Sequence, residues 1–326
     1  MTAAIAYVDI CQKPTLYTTR TVVTSASSGV TESSTLPAAN IFDRNIGKPL
    51  RFTGVDAGDS VRLDIRLVRA GFGPSSTPMG VGLIGLLNVT LRDGSTGLLV
   101  TSYPDGAFRV TVTHGNASFA DANPSLGSGV QSQSEVGPRN MFVMASDISN
   151  AYERNLGGRG DTAVSGAAKM DSYIRILLDD FAGSNMTLDI GRVVFMPLFG
   201  GDLAADSYAT TLDDPTEVLE AYDGTPYANR RTAKRVISFG FNTIKGSEVT
   251  GGSTIAASLQ SANLYAGLGD GVVLVPDFTN ASFLAQEWGP AFGILSNPMS
   301  AQLVRPGLTD PNRLYKVTGT LREVIP

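Results

Sequence analysis

Apolar and polar residues alternate with a period of two through Ser60–Val68 (SVRLDIRLV). Val61, Leu63, Ile65 and Leu67 fall on one side, and Arg62, Asp64, Arg66 and Val68 on the other. Successive side chains leave opposite faces of a sheet, so this period predicts a strand with one buried face. Leu16–Ser25 (LYTTRTVVTS) is rich in Thr and Val and reads as a second strand. Gly85–Asp93 (GLLNVTLRD) is a third, closed by the turn pair Asp93-Gly94. GLLVTSY and AFRVTVTHG follow around Pro104-Asp105-Gly106, a hairpin signal. NMFVMAS reads as a buried strand, and SYIRILLDD (Ser172–Asp180) with TLDIGRVVFMPLF (Thr187–Phe199) as the strongest strand pair in the chain. The longest apolar run, Met79–Val89, reads as a buried strand pair or core segment. It falls well short of the ~20 residues that span a bilayer, so no membrane span is expected.

Between these runs the pattern breaks. Leu36–Gly54 (LPAANIFDRNIGKPLRFTG) is dense in turn formers and reads as a long structured loop, with Ile41 and Phe42 plugging one end of a core. Residues 115–140 have few large apolar groups and read as a long loop reaching towards a neighbour. Residues 206–229 are polar and turn-rich and are taken as a linker. From Arg231 a new pattern begins. RTAKRVISFGFNTI reads as a strand, and Ile255, Leu259, Ala262 and Leu264 recur at helical spacing between a Ser253 or Thr254 cap and Gly267 or Gly269. GVVLVPD, FGILS and LYKVTGTLREVIP are further strands. The expected architecture is mainly β: an antiparallel β-sandwich over 1–205, the linker, and a small α+β domain of three or four strands and one helix over 230–326.

Composition narrows the chemistry. The 326 residues carry 25 Lys+Arg against 30 Asp+Glu, a net charge of −5, with one His and one Cys. One Cys makes no internal disulfide and no multi-thiolate zinc site. The acidic balance argues against a nucleic-acid partner, whose footprint is a basic excess. Charged residues make up 17%, below the roughly 25% of an average soluble protein. A surface so poor in charge is either neutral and polar or covered by neighbouring subunits. The start, MTAAIAYVDI, lacks a basic stretch followed by a long apolar one, so synthesis in a cytoplasm is expected, with Cys11 a free, buried thiol.

Each candidate for chemistry has a blander competitor. His114, in VTVTHGN, is the one His a nucleophilic triad would need, but no GxSxG elbow accompanies it, and a hairpin histidine is the better reading. Asp179-Asp180 and Asp213-Asp214 are paired carboxylates, yet neighbours on a strand point apart, so solvated turn carboxylates are favoured over a glycosidase pair. GLGDG (Gly267–Gly271) has the glycines of a phosphate loop in the wrong order, helix before strand, and reads as a helix end followed by a tight turn. Arg230, Arg231, Lys234 and Arg235 form a basic cluster best read as a solvated strand start or a subunit contact. Trp288 is either an interface anchor or a core residue. Tyr103, Phe119 and Tyr152 lie in or beside expected loops, where aromatic rings serve glycan binding in lectin-like sandwiches. No catalytic, cofactor-binding or metal-ligating residue is assigned, no cofactor is expected, and the chain is not expected to be an enzyme.

Three motifs in order resemble a known family. The loop Pro37-Ala38-Ala39-Asn40-Ile41-Phe42-Asp43, the strand Tyr173-Ile174-Arg175-Ile176 and the segment Asp189-Ile190-Gly191-Arg192, leading into a hydrophobic strand, are similar to discoidin-like (galactose-binding-like) jelly-roll modules in tail and other virion proteins of tailed bacteriophages. RRTAKRVISFGF, the helix, GVVLVPD and TLREVIP resemble the C-terminal unit of the same proteins. The resemblance covers roughly 36–70, 170–200 and 230–326; Phe52 stands where that family often has a Trp. It implies a virion structural protein of the tail or baseplate, assembled in the host cytoplasm. Its partners would be copies of itself and other virion proteins. The alternative is a receptor- or glycan-binding adhesin of the virion, with a host-surface glycan as partner. Arg175 and Arg192 lie on the two most clearly patterned strands, and each is expected to need a partner for its charge.

Overall fold

A computed structural model describes residues 2–69, 71–72, 77–78, 81–100, 107–115, 125–132, 139–144, 171–203, 208–214, 216–220, 226–229, 234–246, 249, 259–266, 270–276, 290–306 and 313–324. The chain is mainly β. Its first strands are β1 (Thr2–Ala6), β2 (Tyr17–Ala26), β3 (Thr31–Glu32), β4 (Leu50–Val55), β5 (Val61–Arg69), β6 (Gly71–Phe72), β7 (Thr77–Pro78) and β8 (Leu83–Asp93). Then come β9 (Ala107–Gly115), β10 (Ser125–Ser132), β11 (Arg139–Met144), β12 (Asp171–Asp179), β13 (Met186–Met196), β14 (Leu198–Leu203) and β15 (Ala209–Asp213). The rest are β16 (Glu217–Glu220), β17 (Pro226–Asn229), β18 (Lys234–Lys245), β19 (Val272–Val275), β20 (Ala291–Leu295), β21 (Ser300–Arg305) and β22 (Leu314–Glu323). Helix α1 (Leu259–Ala266) lies between β18 and β19. The described residues fall into two compact units, one from 8–198 and one from 2–7 and 199–324.

The 8–198 unit holds two five-stranded antiparallel sheets, ordered β10-β9-β12-β5-β2 and β11-β8-β13-β4-β3, with the small β6–β7 pair beside them. In the first sheet the expected alternation holds. Val61, Leu63, Ile65 and Leu67 are fully buried, as are Ile174, Ile176 and Leu178 on the neighbouring strand. The second sheet is buried far more continuously: in β13 every residue from Leu188 to Met196 is buried. The 3-10 turns Ile10–Gln12 and Ala38–Phe42 both pack against β13. Ile41 and Phe42 are buried, as expected for the loop carrying them, but that loop hands over to a strand at Leu50.

Two expectations about this unit change. Ser125–Ser132, placed in a long loop, forms β10 and pairs along β9 from Ala107 to Thr113. β12 and β13 are both strands but do not pair: β12 sits between β5 and β9, and β13 between β4 and β8. The connection Asp180–Asn185 carries the chain from one sheet to the other, with positive φ at both Asp180 (55°) and Asn185 (46°).

The second unit is built on an eight-stranded antiparallel sheet ordered β15-β18-β14-β1-β19-β20-β22-β21. β18 also pairs with β22, which closes β18, β14, β1, β19, β20 and β22 into a ring. This is more β structure than three or four strands and a helix. The ring draws β1 from the chain's start, where Ile5 pairs with Leu274. It draws β14 from the end of the expected sandwich, and β15, from the expected linker, pairs with β18 outside it. β16 and β17 make a separate hairpin. Ile237, Phe241, Val273, Val275, Val317 and Leu321 are fully buried. α1 turns Leu259 and Ala262 inward. Its Asn263 clasps Met299, Nδ2 donating to the backbone oxygen at 2.8 Å and Oδ1 accepting from the backbone nitrogen at 2.9 Å.

Candidate functional site

Several charged side chains of the strands meet each other. Asp9, at the cap of the first 3-10 turn, is 3% exposed and Arg192 of β13 is 6% exposed. Arg192 donates from Nη2 (2.7 Å) and Nε (3.2 Å) to Asp9 Oδ2. Asp9 Oδ1 accepts from the Cys11 (3.1 Å) and Phe195 (3.2 Å) amides, so both oxygens are occupied. Arg175 donates to Asp64 through Nε (2.7 Å) and Nη2 (3.1 Å). Arg62 Nε stands 3.2 Å from the same carboxylate without the alignment of a hydrogen bond. Arg51 grips Asp189 through Nε (2.7 Å) and Nη2 (2.8 Å), with Arg92 3.6 Å away on the far side. The hydrogen bonds to Asp189 and Asp64 hold Arg51 and Arg175 above the ordinary arginine pKa.

The candidate residues separate along these lines. Asp179 and Asp180, expected to point apart, converge on one guanidinium. Arg109 donates from Nε and Nη2 to Asp179, both at 2.9 Å, and its Nη1 lies 2.9 Å from Asp180. The strand ends at Asp179, and the left-handed Asp180 (φ 55°) swings its carboxylate round. Asp213 pairs with Arg322 at 2.6 Å, while Asp214 accepts from the Thr216 amide at 2.9 Å. Hydrogen bonds from Thr216 lower the Asp214 pKa below the ordinary carboxylate value. Arg235 is buried, not solvated, and its Nη2 and Nε donate to Glu323 at 2.5 and 2.9 Å. Gly271 is required by packing, since a Cβ there would stand 2.3 Å from the Phe292 ring. His114 lies in β9 opposite Ile174. Cys11 is fully buried, which pushes its thiol pKa well up, with the Asp9 charge adding to the effect. Tyr103, Phe119, Tyr152, Arg230, Arg231, Trp288 and Gly267–Gly269 lie outside the described residues.

Two concave features stand out. A cleft of about 470 Å³ lies where Ala57, the Asp93–Val100 segment and Ala182–Ser184 meet at one end of the sheets. Asp93 organises its rim by accepting from the Ser95 amide (2.9 Å), the Thr96 amide (2.6 Å) and the Thr96 hydroxyl (2.9 Å). These bonds, those from Thr96 foremost, lower its pKa. Leu98 on the rim is 69% exposed. In the other unit a groove of about 390 Å³ runs beside β21, lined by Ser238, Phe239, Asn297, Pro298, Ser300, Thr318, Gly319 and Thr320. Among the described residues, no group of three or more His, Cys, Asp or Glu side chains is placed to hold a metal ion, and no helix is long and apolar enough to cross a membrane.

Sequence reading missed the open sheet edges. β15 and β21 end the eight-stranded sheet, outside its closed ring. All six residues of β21 are exposed, Leu303 by 48% and Val304 by 64%; Leu212 of β15 is 62% exposed. The signal was present in SAQLVR, a short β-prone run without Lys or Pro. No protein-family model and no curated protein matches the chain.

Proposed function

We propose that the chain is a structural component of a bacteriophage virion, a tail- or baseplate-associated protein that acts through self-assembly and contacts with other virion proteins. The observation that carries this reading is the pair of open edges, β15 and β21, which expose Leu212, Leu303 and Val304 on a sheet whose other strands close into a ring. Closure removes edges, so edges left outside it invite pairing with another chain. The ordered motifs around Pro37–Asp43, Tyr173–Ile176 and Asp189–Arg192 point the same way through their resemblance to virion modules. A discoidin-like jelly roll is the finer reading of the 8–198 unit. In support, the chain changes sheet between β2 and β3, β4 and β5, β5 and β8 (through the β6–β7 pair), β8 and β9, β10 and β11, β11 and β12, and β12 and β13, the kind of crossing that Greek-key sandwiches make. On this reading the protein is made in the host cytoplasm and resides in the virion. Peptides of this chain in gradient-purified particles, and its density in images of them, are the expected result. Particles that assemble without it refute the proposal.

The second reading is a glycan-binding adhesin, favoured by the loop-lined cleft beside Asp93 and Leu98. A glycan array separates the two. A specific hit abolished by Leu98→Asp and Thr96→Ala promotes the adhesin.

A further inference from the structure

β21 pairs with β22 along one side, Ser300 opposite Thr318, Ala301 opposite Val317, Gln302 opposite Lys316 and Leu303 opposite Tyr315. A bulge follows, so that Arg305 faces Leu314. Its other side ends the sheet. Two other edge strands carry polar ties. β2 is joined to β3 by a hydrogen bond from Thr24 to Glu32, and its Arg20 donates to the Cys11 carbonyl and lies 5.2 Å from the Phe42 ring centroid. β15 holds Asp213 against Arg322. β21 is the open edge with two large exposed apolar residues.

The strand is complementary to itself. Side chains opposite one another in a pair share a face, so Ser300, Gln302 and, past the bulge, Arg305 project on one face, and Ala301 and Leu303 on the other. Two such strands joined antiparallel about a two-fold axis must keep like faces together. The register that does so through the strand's middle sets Gln302 against its own copy. Small Ala301 then meets large Leu303, and the bulged Val304-Arg305 end meets Ser300. Ser300 lines the 390 Å³ groove, whose Ser238, Thr318 and Thr320 hydroxyls and Asn297 amide offer acceptors to a guanidinium. The two ends of β21 therefore carry a donor and a place for it. No two like charges meet in this register, and a two-fold pairing needs only this one surface.

Resting on the assembly reading above, we propose that β21 is a self-association edge: two copies pair antiparallel through Ser300–Arg305 about a two-fold at Gln302, continuing the sheet from one subunit into the next.

Gln302 provides opposite tests at one exposed position. Directly opposed residues have Cβ atoms about 4.5–5.5 Å apart, close to the range a disulfide spans. Gln302→Cys should give a covalent dimer on mild oxidation, and Val23→Cys, also exposed on β2, should not; native Cys11 is fully buried and contributes no background. Gln302→Lys sets two ammonium groups face to face and should raise the dimer dissociation constant about tenfold or more by sedimentation equilibrium. Circular dichroism checks that both variants fold. Selective cross-linking together with the lysine effect supports the proposal. Oligomers unchanged by Gln302→Lys, with no selective cross-link, overturn it while leaving assembly through another surface intact. A wild-type chain that stays monomeric at the highest concentrations and cross-links no faster at 302 than at 23 also overturns it. Failure of the assembly reading itself is read separately, from the chain's absence from particles.

Discussion

Removing Asp9 tests how the 8–198 unit is held. Its carboxylate accepts four hydrogen bonds, two from the Arg192 guanidinium and two from the Cys11 and Phe195 amides. Asp9→Ala leaves a guanidinium that is 6% exposed without its counter-charge. Breaking one side of a buried pair costs about 3–5 kcal/mol, a large share of the roughly 5–15 kcal/mol that keeps a domain folded. Arg192→Met is milder, about 3 kcal/mol at the low end of that range, because the stranded carboxylate keeps two amide donors. The double variant Asp9→Ala/Arg192→Met loses the pair together, so its cost should fall below the sum of the singles by about 1–3 kcal/mol. Arg175→Ala is an internal comparison. Arg62 remains 3.2 Å from Asp64, so the loss there should be smaller than at Arg192. Urea unfolding followed by far-ultraviolet circular dichroism reads all four, with the transitions of the two units fitted separately where they part. Singles within about 0.5 kcal/mol of the wild type, or a double variant that is strictly additive, would refute the argument that this pair is a buried, coupled unit.

Three further outcomes are expected. Gly191→Ala would place a Cβ 2.8 Å from the Ile46 carbonyl oxygen and 2.9 Å from that of Leu87. Backbone does not yield there, so a loss of about 1–3 kcal/mol is expected in the same unfolding assay; an unchanged midpoint counts against it. The folded-state pKa of Asp93 lies below its ordinary value of 3.8 because Thr96 and Ser95 donate to the carboxylate. The stability it adds is therefore full above that ordinary value and is lost as pH falls through the lower folded pKa. Asp93→Ala should flatten the stability curve in that acidic window and leave its shape near neutrality unchanged, as an acid titration of unfolding checks. The Cys11 thiol is buried and its pKa raised, so a thiol reagent should react only as the chain unfolds; modification of the native protein at the rate of a free cysteine would contradict this.

What the sequence displays depends on whether a strand has one wet face. β5 and β12 do, and their alternation marks both the strand and its buried side, down to Val61, Leu63, Ile65 and Leu67. β8 and β13 are covered on both faces over most of their length. Their residues are a continuous apolar run, which identifies a buried strand but carries no information on its neighbours. Hence β12 and β13, consecutive and both clear, are easily taken for partners although they lie in different sheets. Short strands are harder still. β1 is TAAIA and β15 is ATTLD; the first has its place decided by a partner strand far along the chain, Val272–Val275. The expected need of Arg175 and Arg192 for counter-charges was readable because an arginine in an apolar strand needs one. Which carboxylate answers it was not, since Asp9 lies 183 residues from Arg192 in the chain.

These long-range pairs bear on the low charge content. Arg51–Asp189, Arg175–Asp64, Arg109–Asp179 and Arg235–Glu323 each join different strands, and the first three join neighbours in register: Arg51 opposite Asp189, Arg175 opposite Asp64, Arg109 opposite Asp179. A one-residue slip would turn the partner to the other face of the sheet and leave both charges exposed to the wrong side. Ion pairs so placed add little net stability when half exposed, but they penalise every wrong register. In a chain that is 17% charged, these charges sit on interior strands, where they do not guard an edge. β21 shows the consequence: between Ser300 and Val304 it carries no charged residue, where an edge defended against pairing would carry lysine or proline. On the proposal above, that unguarded edge is the one a second copy of the chain continues.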